Sequence, residues 1–200
     1  MDLTNPLRAI SPGVEGDVLA VLLGTHAPLT GARVAALAER SETQVREVLR
    51  RLEHHGLVDA DRHGQSYSYA LNREHVLVPG LEQLHRAMPT VEAAVQKLVT
   101  AWAVAPAALL LFGSAARRDG DAASDVDLLL VRPDDHDADD ETWAAQRHEL
   151  ARAVERLTGN AVQIVELSST ELAEAVRRKE PLIAQLRADG VVLTGDRSVL

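Results

Sequence analysis

The 200-residue chain contains no cysteine, which excludes a disulfide framework and any thiolate-ligated metal site. Aromatic residues are scarce at 2%, so a core drawn from the 46% hydrophobic residues must rest on Ala, Leu and Val. No apolar run approaches the roughly 18 residues that a bilayer-spanning helix needs. The opening stretch, MDLTNPLRAISPGVEGD, lacks the basic start and apolar segment of a secretory signal. A cytoplasmic protein without membrane contact is therefore expected. The formal net charge of −9 argues against a general nucleic-acid coat. Residues 1–75 carry 8 Lys/Arg against 10 Asp/Glu, so any DNA contact there must be made locally by arginines on one surface.

What the chain does contain divides into two patterns. Residues 14–24 form an apolar cluster that stops at Gly24, and Thr30 to Glu39 predicts a short helix with Val34, Leu37 and Ala38 facing inward. Ser41 can cap a second helix, with Gln44 as its capping-box partner. There Val45, Val48, Leu49 and Leu52 recur at i, i+3, i+4 and i+7 to give one apolar face. Gly56 ends that helix. Leu57 to Ala60 and Ser66 to Leu71 read as two strands around a turn at residues 61–64. Three helices followed by a β-hairpin is the order of a winged helix.

The apolar face leaves Thr43, Gln44, Arg46, Arg50 and Arg51 outward. In a helix-turn-helix the second helix enters the major groove, so Thr43 and Gln44 suit base edges while the three arginines suit phosphates. Arg62 and His63 at the wing tip can reach the backbone or minor groove. The stretch from Val45 to Val58 resembles regulators of the MarR and ArsR types, a likeness covering residues 14–73. It implies a homodimer on double-stranded DNA, because one helix reads few base pairs. Winged helices also serve as protein-interaction modules, and that reading stays open.

Residues 76–104 predict two helices separated near Pro89, expected to link the halves. Beyond them Ala107 to Phe112 reads as a buried strand, Gly113-Ser114 as a sharp turn, and Ser124 to Val131 as a further strand. Gly lets the backbone approach a ligand closely, and a following helix N-terminus offers free N–H groups to phosphate, with the Ser114 hydroxyl beside them. Asp125 and Asp127 lie two apart, so on a strand both carboxylates leave one face. Paired carboxylates next to a phosphate site meet the requirement of Mg²⁺ or Mn²⁺ for oxygen ligands plus substrate phosphates. Thr142 to Leu157 is then a helix, Ala161 to Leu167 a strand, and residues 169–188 a helix interrupted near Pro181.

Gly113-Ser114, Ala116-Arg117 and Ser124-Asp125-Val126-Asp127-Leu128 resemble the signature of the DNA polymerase beta-like nucleotidyltransferase superfamily, especially its minimal-type members. The resemblance covers residues 105–195. It implies a nucleotidyltransferase α/β domain with a mixed sheet over 105–200, so that with the winged helix over 1–75 and the helical linker over 76–104 an α+β chain is expected. It further implies NTP as substrate or ligand, with Asp125 and Asp127 catalytic and metal-binding. Gly113, Ser114, Arg117 and Ser124 would contact the nucleotide, and a small molecule, protein or RNA would accept it. Two departures stand out. Arg118 occupies a position usually held by Gly, which would lengthen the helix. The third family carboxylate falls on Gln163; Glu166 has the opposite strand parity and could serve as a metal ligand only through a bulge or register shift. The alternative is a DNA-binding transcription regulator whose C-terminal domain senses a nucleotide or is degenerate.

Overall fold

The structure, a computed structural model, describes residues 1–200 as nine α-helices and two sheets, in two compact units. One unit comprises Asp2 and residues 4–87; the other comprises Met1, Leu3 and residues 88–200. No helix is long and apolar enough to cross a membrane.

In the first unit α1 (Val14–Leu23), α2 (Gly31–Ala38) and α3 (Glu42–His54) pack with a three-stranded antiparallel sheet of β1 (Leu29–Thr30), β2 (Val58–His63) and β3 (Ser66–Leu71), in the order β1-β3-β2. The Thr30 hydroxyl accepts from the Arg33 amide at 3.2 Å and so starts α2. Ser41 does the same for α3, while its own O–H donates to Gln44 Oε1 at 2.9 Å. Val18, Leu22, Val34, Val45 and Leu49 form the shared core. Leu37, expected inside, is 47% exposed, because the buried stripe of α2 runs through Val34, Ala35 and Ala38. The first hairpin strand is also longer than expected. It pairs through His63↔Ser66, so the turn is only Gly64 and Gln65, with Gly64 at φ +64°.

Residues 76–104, expected as a linker, are shared out. In α4 (Val78–His85), Val78 is buried in the first unit's core, whereas Met88, Val91, Val95 and Val99 of α5 (Ala87–Thr100) enter the core of the second. The break between the helices falls at Arg86, near Pro89 as expected, and Pro89 itself sits in the first turn of α5, where a missing N–H costs nothing.

The second unit is built on a mixed sheet in the order β6-β5-β4-β7, from β4 (Ala108–Phe112), β5 (Val126–Arg132), β6 (Val162–Ser168) and β7 (Val191–Gly195). β4 is antiparallel to both neighbours, and β5 runs parallel to β6 through the crossover helix α7 (Glu141–Thr158). All five residues of β4 are buried, which explains its unbroken apolar run. Leu109, Leu111, Leu128 and Leu130 form one core with Trp143 and Leu150 of α7. Leu110, Leu129 and Val131 form another with α8 (Ser169–Arg178) and α9 (Pro181–Asp189). The break before Pro181 is as expected: Lys179 ends α8 at φ +54° and Pro181 opens α9. Near the chain start, Leu3 is 1% exposed in the α7-side core, and its amide donates to the Gly120 carbonyl at 2.9 Å.

Candidate functional site

The strand β4 delivers Phe112 opposite Asp127, so the turn that follows it meets the carboxylates at once. That turn needs glycine twice over. Gly113 has φ +68°, a conformation that L side chains rarely adopt. A Cβ on Gly113 would also lie 3.2 Å from Asp127 Cγ and collide with Oδ2. The helix it opens, α6 (Gly113–Arg117), is only 5 residues long. Arg118 does not lengthen it; with φ +58° it ends it in the left-handed region, a conformation that favours glycine.

The loop back to β5 is tightly turned. The Ser124 hydroxyl donates to Asp121 Oδ1 and accepts from the Asp121 amide, both at 2.9 Å. Where a Cβ on Gly120 would stand, Ser114 Oγ is 2.8 Å and Ser124 Cβ 3.1 Å away, so this glycine keeps the two serines close. Asn160, only 3% exposed, donates to the Ser124 carbonyl at 2.9 Å, and Val126 donates to the Ala161 carbonyl at 2.8 Å. The segment entering Asp125 is thus clamped to the start of β6. Sequence reasoning missed Asn160, whose side chain donates to residues distant along the chain, at Met1, Ala122 and Ser124.

Gln163 is register partner to Asp127 across the parallel pair. Its side-chain amide donates to Asp125 Oδ2 at 2.6 Å, so Asp125, Asp127 and Gln163 converge. Burial pushes the Asp127 carboxyl above the usual carboxylate range, the Asp125 charge raises it further, and Arg117 partly opposes them. Two converging carboxylates, with the amide of Gln163 beside them, are an oxygen donor set that fits a divalent cation.

Glu166 is not part of this set. It pairs with Leu130, on the opposite sheet face, where it receives Arg132 Nε at 3.0 Å, the Trp143 indole N–H at 3.0 Å, and Arg147. No bulge brings it to the aspartates, and its proposed metal role is corrected to the anchor of a charge network. Burial raises its pKa, but the bonds from Arg147, Trp143 and Arg132 outweigh burial and hold it low. No group of three or more His, Cys, Asp or Glu residues is placed to hold a metal. Arg117 is paired with Asp119 at 2.9 Å and Asp189 at 3.4 Å.

In the other unit Thr43, Gln44, Arg46, Arg50 and Arg51 all lie exposed on α3. Arg46 is 3.6 Å from Glu42, and Arg51 is tied to Glu15 of α1. Arg46 and Arg50 border a groove of about 620 Å³ with Tyr67 and Tyr69, whose rings stack 6.3 Å apart. Arg62 and His63 occupy the last pairs of the hairpin, with Arg62 Nε donating to the Gly64 carbonyl at 3.0 Å and His63 hydrogen-bonding with Ser68.

A Gly-Ser turn and two aspartates at the head of a strand in a mixed sheet accord with a nucleotidyltransferase type of domain. Residues 78–163 match the family described as "Putative nucleotidyltransferase DUF294". No curated protein matches the chain. Among solved structures, a toxin–antitoxin chain crystallised with AMP-PNP is 22% identical over 54% of this chain and 75% of its own, with a TM-score of 0.37. Human N-acetylserotonin methyltransferase, solved with SAM, is 19% identical over 48% of this chain and 31% of its own, at a TM-score of 0.29. TrmBL2, an archaeal chromatin protein, is 15% identical over 86% of this chain and 71% of its own, also at 0.29. Likeness at these scores carries no functional weight.

Proposed function

We propose that residues 105–200 bind an NTP with Mg²⁺ or Mn²⁺ and transfer its nucleotidyl group to a hydroxyl acceptor, and that residues 1–75 are a DNA-binding winged helix. The observation that carries the first part is the approach of Gly113 to Asp127, which makes the Gly-Ser turn and the acid pair one site. Asp125 and Asp127 would hold the metal. The Gly113 and Ser114 amides and the Ser114 hydroxyl would meet phosphate oxygens. When bound, the cation neutralises triphosphate charge and orients the attacking hydroxyl. Arg117 would reach the departing phosphates by leaving its acid partners Asp119 and Asp189, surface pairs that hold it only weakly. Ser124 shapes the turn before Asp125 and would act on the nucleotide through that turn.

The test is incubation of each labelled NTP with Mg²⁺ or Mn²⁺ and cell extract, comparing wild type with Asp125→Ala/Asp127→Ala. Label on a protein, an RNA or a small molecule, lost in the double variant, is the expected outcome. Absence of transfer in wild type refutes catalysis.

A second reading, a DNA-binding regulator with a nucleotide-sensing domain, is favoured by one observation: the neutral Gln163 where a third acid would accept the acceptor's proton. Nucleotide binding without transfer would select it, with linkage between nucleotide and DNA affinity. For DNA, the exposed residues of α3 support the proposed face, with Arg62 and His63 beside it, and a homodimer on a two-fold site is expected. Selected-sequence binding should be lost in Arg50→Ala/Arg51→Ala; retained binding rejects that face.

A further inference from the structure

We propose that Gln163 sets the capacity of the acid pair at one divalent cation. The inference rests on the metal–nucleotide reading above and concerns how many ions that site accepts.

Three side chains converge: Asp125 just before β5, Asp127 within it, and Gln163 at the matching register of β6. An amide facing a carboxylate must donate, and Gln163 Nε2 does so to Asp125 Oδ2 at 2.6 Å. The cluster therefore carries two negative charges, matched by one divalent ion. A second ion about 4 Å from the first needs further anionic ligands to offset their repulsion. The surrounding acids do not supply one. Glu166 lies on the other sheet face, ion-paired with Arg132 and Arg147. Asp119 and Asp189 face Arg117, and Asp121 is bonded into the turn with Ser124.

Gln163 nevertheless keeps an oxygen. Rotation about its terminal torsion replaces Nε2 by Oε1, a hard but neutral donor of the kind that divalent cations accept from amides. Position 163 can thus complete the coordination of one ion without adding charge for a second. Because Gln163 is exposed on an edge strand, its substitution leaves the fold intact.

The experiment titrates Mn²⁺ alone into the full chain and counts bound ions by electron paramagnetic resonance. Only sites lost in Asp125→Ala/Asp127→Ala are counted, which removes ions held loosely by the acidic loop at 134–140. Wild type should show one such ion, Gln163→Ala one, and Gln163→Asp and Gln163→Glu two. The first ion should also bind about tenfold more tightly in the acidic variants, since a full charge joins the donor set. Unchanged thermal midpoints would show that all variants fold. Two ions in wild type, or one ion of unchanged affinity in both acidic variants, overturns the role of Gln163 and leaves the metal site standing. No such ion in wild type removes the site and the proposal together.

Discussion

Gly113→Ala separates two costs that coincide at one residue. The left-handed φ of +68° costs an alanine about 1–2 kcal/mol on its own. The new methyl must also displace the Asp127 carboxylate, which it meets at Oδ2 and, 3.2 Å away, at Cγ. Forcing a packed side chain off its rotamer adds about 1–2 kcal/mol, for a total of about 2–4 kcal/mol. Gly159→Ala is the control in the same unit. It has φ +72°, and its Cβ would meet only the Met1 nitrogen at 4.0 Å, so it carries the conformational cost of about 1–2 kcal/mol alone. Urea unfolding is well suited to the comparison, because both tryptophans, Trp102 and Trp143, pack in this unit and report on it selectively. The decisive arm repeats Gly113→Ala in an Asp127→Ala background, where the obstructing carboxylate is gone. There its cost should fall to that of Gly159→Ala, a coupling of about 1–2 kcal/mol. Equal costs of Gly113→Ala in both backgrounds would falsify the claim that this glycine exists to admit Asp127.

Further outcomes follow from the polar networks. Glu166→Gln should lower stability by about 2–3 kcal/mol, because Arg132 and Arg147 lose their counter-charge, yet leave Mn²⁺ affinity unchanged; a loss of Mn²⁺ binding would return Glu166 to the metal site. Asn160→Ala should cost about 1–2 kcal/mol in the same fluorescence assay, since the half-buried Ser124 carbonyl loses its donor, and should weaken Mn²⁺ binding severalfold. In the other unit burial would raise the Asp17 carboxyl, but Arg8 and Arg40 outweigh it and depress its pKa. Its contribution is therefore present above the unfolded carboxylate value and lost as pH falls through the lower folded one. Asp17→Asn should cost this unit about 2 kcal/mol at pH 7 and flatten its acid unfolding below about pH 4, followed by tyrosine fluorescence. An acid transition as steep as wild type would refute the pairing.

The elements that sequence made legible are those fixed by short-range chemistry. The cap at Ser41, the apolar stripe of α3 and the Gly113-Ser114 to Asp125-x-Asp127 spacing all depend on neighbours close along the chain. Strand parity also correctly separated Glu166 from Gln163. What parity alone could not supply was the company Glu166 keeps, because Arg132 and Arg147 meet it only through the β5–β6 register and the return of α7. Arg118 illustrates a different limit: a non-glycine in the left-handed region has no local signature. Leu37 misled because its apolar side chain lies outside the stripe that the core covers. Division of the 76–104 segment depended on which core each helix completes, and neither core is defined locally.

The position of Leu3 has a consequence for how the chain acquires its structure during synthesis. Residues 4–87 are an insertion within the second unit, whose first buried residue precedes them and whose remainder follows. The inserted unit has all its strands and helices once Ala87 has left the ribosome. Leu3 must meanwhile wait for Gly120 and for the strands at 126–132 and 162–168, a closure over more than a hundred residues that is entropically costly but grows only slowly with loop length. The chain should therefore mature in two stages, with Leu3 outside its core until the strands that cover it are made.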